Sequence, residues 1–327
     1  MTDQSRELME RFPIRKTGEQ KETFRTWLCD TLKAAEGTPR VEQAGKLIKS
    51  HNVVLGDPDT AKVLLTAHYD TCAVLPIPNF ITPRSPVWFL LYQLLIGVVL
   101  FMAAFLLGFA GARLWERAGV SDGVGMILTL LVVYAILLFI IWWMMGGGKA
   151  NRHNANDNTS GVVTLLELAL AMTPEQRRQV CFVWFDNEEK GLFGSAAFAK
   201  AHPRAKKEAL VLNFDCVGDG PYLHFFPTKK VKRDRRVMAQ LQNCWQPEGD
   251  RTVTVVEGFG LYPSDQRAFG GGVGVCALKH SKIFGYYMDR IHTGRDTVLE
   301  EENIRLLCRG ALALTDQLTE KETTHAE

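Results

Sequence analysis

The sequence has no CxxC pair, no internal repeat, no low-complexity tract and almost no net charge. Its seven cysteines, at 29, 72, 181, 216, 244, 276 and 308, are scattered and odd in number. That excludes a disulfide-framed scaffold and points to reduced thiols, several inside apolar runs such as 180–183. A formal charge of +2 over 327 residues leaves no global field to attract nucleic acid, so no nucleic-acid partner is expected. Residues 1–22 are charged throughout and lack an apolar core, so a cleaved signal peptide is not expected there. The polar residues after 318 are expected to fray.

Two stretches lack charge altogether. Neither 87–112 nor 124–148 contains Asp, Glu, Lys or Arg, and each exceeds the roughly 20 residues a helix needs to cross a hydrocarbon core. The connector between them is short and carries Arg113, Glu116, Arg117 and Asp122. Trp88, Trp142 and Trp143 cluster at one boundary and Trp115 lies at the other, as interfacial aromatics do. The expectation is a transmembrane helical hairpin at 86–148, contacting the lipid bilayer through 87–112 and 124–148. The alternative, a pair of buried core helices, fits poorly with segments that are apolar on every side. A hairpin returns the chain to its starting side, so 1–84 and 150–327 can fold together as one domain of roughly 260 residues. Arg84, Lys149 and Arg152 flank the domain side against Arg113 and Arg117 in the connector, which weakly favours a cytoplasmic domain. The basic run 229–236 is read as a solvated helix face or loop in preference to a lipid-headgroup contact.

Elsewhere short apolar runs alternate with helical patterns. Residues 62–67 read as a buried strand delivering His68 at its end. Asp157–Gly161 carries helix-start residues ahead of the apolar run 162–172. Residues 180–185 form a second strand before Asp186-Asn187-Glu188-Glu189, and 209–214 a third before Asp215. Strands are also expected at 252–256 and 273–278, helices at 195–201 and 300–318. This alternation predicts an α/β sandwich on a parallel or mixed sheet. Ligand sites in such sheets gather at the carboxyl ends of strands.

At those ends stand His68, Asp70, Asp157, Glu188, Glu189, Asp215 and, later in the chain, His292. Singly, each has an ordinary explanation: a structural histidine, a helix cap, a solvated acidic pair. As a set, imidazole and carboxylate donors suit zinc, with cobalt or manganese as substitutes. A carboxylate able to bridge allows two cations. Asp70, two residues beyond His68, can orient its imidazole. In Glu188-Glu189 the neighbouring side chains diverge, so one can bind metal while the other serves as a general base.

In order along the chain stand Thr66-Ala67-His68-Tyr69-Asp70-Thr71, Asn156-Asp157-Asn158-Thr159-Ser160-Gly161, Asn187-Glu188-Glu189-Lys190-Gly191-Leu192-Phe193-Gly194-Ser195, Asn213-Phe214-Asp215, Ser264-Asp265 and His292-Thr293-Gly294-Arg295-Asp296-Thr297. Over residues 40–84 and 150–318 this set resembles the aminopeptidase Y type of zinc exopeptidases, the dizinc group that includes bacterial leucyl aminopeptidases. The resemblance implies a three-layer αβα sandwich on a mixed sheet, two Zn²⁺ ions and a peptide substrate. It implies that Asp157 bridges the ions, that Glu189 and His292 complete one site and His68 and Asp215 the other. Glu188 would be the base, Asp70 would support His68 and Asp296 would stand near His292.

Two features depart from the pattern: the apolar hairpin fills a loop that is short in the family, and Gln266 follows Ser264-Asp265 where the family often has histidine. Phe259, Tyr262, Tyr286 and Tyr287 are candidates for either a substrate pocket or core packing. The reaction expected is release of an N-terminal amino acid. Glutaminyl cyclases and carboxypeptidase-like hydrolases of the same fold, and a non-catalytic membrane-tethered module, are the alternatives.

Overall fold

The computed structural model describes residues 1–46, 48–75, 79–120, 122–143 and 147–326. Helices α1 (Asp3–Arg11) and α2 (Gly18–Ala34) precede β1 (Arg40–Ala44), β2 (Ser50–Leu55) and β3 (Val63–His68). The long helices α3 (Pro86–Arg117) and α4 (Asp122–Trp142) follow, then a turn, Ala155–Ser160, that is non-helical at Asp157 and Asn158 and leads into α5 (Gly161–Ala171). Next come α6 (Pro174–Gln179), β4 (Val180–Phe185), α7 (Phe193–Ala201), α8 (Pro203–Glu208), β5 (Leu210–Phe214) and β6 (Tyr222–Pro227). The chain ends with α9 (Lys229–Arg233), α10 (Arg235–Cys244), β7 (Thr252–Val255), β8 (Gly271–Ser281), β9 (Gly285–Tyr287) and α11 (Glu301–Ala326).

The strands lie in the order β1-β2-β4-β3-β5-β8-β6-β7, with β9 paired to β8. The central strands β4, β3, β5 and β8 run parallel, and β2 and β6 join them antiparallel. This is the expected mixed sheet. β3 and β4 are buried along their whole length, as strands covered on both faces must be. Alternate residues sort to opposite faces. Val63, Leu65, Phe182 and Trp184 pack with Phe24, Leu166 and Leu307 of α2, α5 and α11. Leu64, Cys181, Val183 and Phe185 pack with Phe198 and Ala205 of α7 and α8. The result is three layers, helices on either side of one sheet.

Thr17 opens α2 with a reciprocal capping box through Gln20, and Thr173 opens α6 the same way with Gln176. Such caps satisfy amides that the first turn leaves unpaired. Gly161 stands where α5 meets the end of β5: a Cβ there would sit 2.1 Å from the Phe214 carbonyl oxygen. Several elements differ from expectation. α1, α2, β1, β2 and β6 carry no distinctive sequence pattern, β8 extends well past 273–278, and α11 continues through the residues expected to fray.

α3 and α4 are long and apolar enough to cross a membrane, and the apolar windows are 0% and 6% buried. They are therefore not core helices of the sandwich. They pair with each other antiparallel: Gly111 meets Thr129, where a Cβ would come within 2.8 Å of the hydroxyl, and Gly125 meets Trp115. Pro86 and the Ser85 side chain start α3. Residues 144–146 of the second apolar segment lie outside the described residues. All seven cysteines are free, five of them buried.

His202, between α7 and α8, bonds Asp59 at 3.0 Å and Glu42 at 2.9 Å. Burial disfavours its charge, but the two carboxylates outweigh burial and raise its pKa above the usual 6.5. A raised folded-state pKa adds stability below the unfolded value, and that stability is lost as pH rises through the folded one. His202→Ala is expected to cost about 1–2 kcal/mol near pH 6, from hydrogen bonds to charged partners. The wild-type-minus-variant difference should shrink as pH climbs above 6.5. Unfolding midpoints of both proteins at matched pH test this, and a pH-independent difference would count against it.

Candidate active site

The parallel register places His68 of β3 opposite Phe185 of β4, and Thr66 opposite Asn213 of β5. The carboxyl ends of three neighbouring strands therefore present His68, the Asp186–Glu189 turn and Asp215 side by side. The turn Ala155–Ser160 brings Asp157 beneath them. The loop after β9 brings His292, held at φ 59°, a left-handed conformation that non-glycine residues adopt at a cost and that concentrates at functional sites.

Every residue singled out for metal or catalysis converges. Asp157 stands between the two histidines: its Oδ1 is 3.3 Å from His68 Nε2 and its Oδ2 is 2.9 Å from His292 Nε2. Asp215 Oδ1 lies 3.5 Å from His68 Nε2, and Glu189 Oε2 lies 3.4 Å from His292 Nε2. Ligand atoms of His68, Glu188 and Asp215 fall within 4.8 Å of one another, as do those of His68, Asp157 and Glu189. Asp157 does not cap α5. Its neighbour Asn158 accepts from Gly161 N instead, leaving the Asp157 carboxylate for the cluster.

Asp70 behaves in a way its sequence position did not reveal. His68 Nδ1 lies 3.1 Å from the Asp70 backbone oxygen and 3.6 Å from its Oδ1. The carboxylate accepts instead from the backbone amides of Glu188, at 3.0 Å, and Glu189, at 3.3 Å. Asp70 thus fixes the imidazole and the acidic turn together. Asp296 does the same for the other loop, accepting from the amides of Asn156 and Asp157 at 2.8 and 3.0 Å.

The electrostatics are those of crowded buried carboxylates. Burial, aided by Asp157, pushes Glu189 up to about 8 despite His292. Burial and the nearby Glu189, Asp265 and Asp215 push Glu188 well above the carboxylate range despite His68. Burial opposes a charged His292, yet Glu189 and Asp157 lift it to about 9. Burial also raises Asp265 to about 7. Glu189 Oε1 is buried with no hydrogen-bond partner among the described residues. A buried carboxylate oxygen without a partner is costly unless something accompanies it. The donor set and that orphaned oxygen fit bound divalent cations.

Three contributors escaped sequence reasoning. Arg15 is fully buried; it donates to the Tyr69 carbonyl oxygen at 2.5 Å and to Thr159 Oγ1 at 3.1 Å, tying the His68 loop to the Asp157 turn. Lys21 donates to Asp186 Oδ1 at 2.6 Å and Asn187 Oδ1 at 2.8 Å behind the acidic turn. Both come from the N-terminal segment outside the resembling region, where no spacing or motif marks them. Cys72 lies beside Glu189 and His292; burial, Glu189 and Asp157 push its thiol well above its usual range. Gln266 is buried and accepts from Asn213 Nδ2 at 3.2 Å. Of the pocket candidates, Tyr262 is buried and donates to the Asp215 backbone oxygen at 3.0 Å, Tyr286 and Tyr287 are partly buried, and Phe259 is exposed.

A mixed-sheet αβα sandwich with a histidine–carboxylate cluster at its strand ends defines a class, α/β proteins built like metal-dependent hydrolases. The particular family follows from the comparisons. Residues 145–309 match peptidase family M28, half of the chain, and the protein belongs to that family. Among solved structures it resembles Porphyromonas gingivalis glutaminyl cyclase (TM-score 0.59, 14% identity, 97% of this chain and 98% of that one). It also resembles the LapA aminopeptidase of Legionella pneumophila (TM-score 0.56, 16% identity, 97% and 68%). A Zn-dependent exopeptidase from Parabacteroides distasonis gives a TM-score of 0.57 at 13% identity, over 96% and 97%. At such identities these likenesses speak to the fold. A probable leucine aminopeptidase of Arthroderma otae is 36% identical over 80 residues, a stretch spanning 22% of each chain.

Proposed function

We propose that this protein is a membrane-anchored zinc peptidase that removes N-terminal amino acids. The observation that carries this reading is Asp157, one oxygen turned to each histidine. In this reading Asp157 would be shared between two zinc ions, one that His68 and Asp215 would help hold and one that Glu189 and His292 would help hold. Bound there, the zinc pair would polarise the scissile carbonyl and ease deprotonation of the attacking water. Glu188 takes the proton from that water and returns it to the leaving amine. Asp70 holds Glu188 and Glu189 through their amides, which keeps the base at a fixed distance from the donors. Arg15 locks the two loops that carry His68 and Asp157, so donor positions are set before substrate arrives.

Glutaminyl cyclisation on the same fold is the second reading, favoured by the likeness to glutaminyl cyclase. Retention of both His68 and Asp215 supports two ions and hydrolysis. Purified protein is expected to hold about two zinc per chain and to cleave aminoacyl anilides. Cyclisation of N-terminal glutaminyl peptides with no anilide cleavage would shift the assignment to the cyclase, and a folded protein that takes up no divalent ion would end both.

The exposed apolar faces of α3 and α4 support membrane spanning, with 1–84 and 150–327 as the catalytic domain and 86–148 as an insert. Free cysteines and the lysine–arginine balance around the helices support a cytoplasmic catalytic domain. The insert's roots also touch the site: Trp143 Nε1 donates to the Val74 oxygen at 2.9 Å, and Leu75 N donates to the His292 oxygen at 3.0 Å. Replacing 86–148 by a short glycine linker is expected to give a protein soluble without detergent. A shortened protein that still requires detergent would refute the insert as the anchor.

A further inference from the structure

Five large hydrophobic side chains are exposed outside α3 and α4 among the described residues: Val41, Ile48, Phe259, Leu261 and Ile283. Three of the five sit on two loops that touch the root of α3. In the first loop, Leu261 N donates to the Pro83 oxygen at 2.8 Å, three residues before α3 begins, and Lys232 Nζ donates to the Gly258 oxygen at 2.6 Å. The second is the turn between β8 and β9. There the Phe284 ring meets Trp88, in the first turn of α3, at 5.0 Å and Phe80 at 5.1 Å, while Phe80 meets Tyr92 at 5.8 Å. Ile283, 66% exposed, stands at the tip between Phe284 and exposed Lys282. Arg84 lies over the Tyr286 ring at 5.6 Å.

We propose that these two loops form a collar that docks on the bilayer surface around the α3 root. Phe259, Leu261 and Ile283 enter the headgroup layer, and Arg84, Lys232 and Lys282 face anionic headgroups. This rests on the reading that α3 and α4 span the bilayer. Given that, Trp88 marks the headgroup level, and the side chains packed around it bring the β8–β9 tip to the same depth. An aromatic or branched apolar tip beside cations suits that layer, where apolar area and attraction to anionic lipid add. Glu257, which accepts from Gln242, keeps its charge but is outnumbered by Arg84, Lys232 and Lys282. The collar would fix the tilt of the catalytic domain on the membrane, which two helices joined through loops would not.

The test is photo-cross-linking of the full chain in phosphatidylcholine–phosphatidylserine vesicles, with benzoylphenylalanine replacing Phe259, Ile283, Leu94 or Val41 one at a time. Leu94 lies in α3 and is 62% exposed; Val41 lies in β1 at the far edge of the sheet. Lipid adducts at 259, 283 and 94 but not at 41 are expected. Adducts at 94 alone would overturn the collar while leaving the spanning helices in place. Absence of adducts at 94 would overturn the spanning reading and the collar with it. Omitting phosphatidylserine should lower the yield at 283 several-fold and leave 94 unchanged. Equal yields at 283 in both lipids would overturn the charged half of the proposal.

Discussion

Replacing Glu188 with glutamine is expected to lower kcat by about 10²–10⁴-fold, the usual worth of a positioned general base, with zinc content and unfolding midpoint unchanged. Glutamine keeps the size and shape of glutamate but cannot take a proton from water. Glu188 is suited to the task by placement: its ligand atoms share the neighbourhood of His68 and Asp215, and Asp70 Oδ1 holds its amide at 3.0 Å. Its neighbour Glu189 lies 3.4 Å from His292, so the two adjacent carboxylates have different surroundings, as the proposed division of roles needs. Steady-state kinetics of the zinc-loaded variant measure the effect. Turnover within about tenfold of wild type would remove Glu188 from the role of base.

Lys21→Met is expected to destabilise the fold by about 3–5 kcal/mol, the cost of stranding one partner of a buried ion pair. The Lys21 and Asp186 side chains are 6% and 3% exposed and 2.6 Å apart. Without Lys21, Asp186 keeps the His51 amide at 3.0 Å as a partner but loses its counter-charge. Lys21 also donates to Asn187, whose φ of 57° turns the chain toward Glu188. The loss should therefore appear in the lifetime of the acidic turn as well as in global stability. Adding Asp186→Asn to Lys21→Met should recover part of the lost stability, because the stranded charge is gone. Chemical unfolding of the single and double variants measures both. A Lys21→Met protein within about 1 kcal/mol of wild type would show that water reaches the pair.

Much of the site is legible in the chain itself because its donors sit at strand ends. A run such as 180–185 reads as a buried strand from composition alone. A carboxylate placed directly after it must lie at the edge where parallel sheets bind ligands. His68, the Glu188-Glu189 pair and Asp215 share that signature. The long, charge-free apolar character of 87–112 and 124–148 is legible for an equally local reason: length and absence of charge are properties of a segment, not of its partners.

Arg15 and Lys21 are not legible in that way. A basic residue in a polar N-terminal segment looks solvated until the chain folds over it, and only long-range packing puts either behind the acidic loops. The division of Asp70 between an imidazole and two amides is hidden for the same reason, since it depends on a turn 118 residues away. So is the collar: 257–261, 281–285 and the start of α3 are separate in sequence and meet only because β8 and β9 carry one loop to the helix while a backbone bond to Pro83 carries the other. By itself the sequence determined which segments are apolar, which side chains can hold a cation and in what order they come, because hydrophobicity and donor chemistry belong to individual residues. Only the tertiary structure decided which donors face one another, which cations lie buried behind them and which loops share the edge with the long helices, because those are relations across space that chain order does not encode.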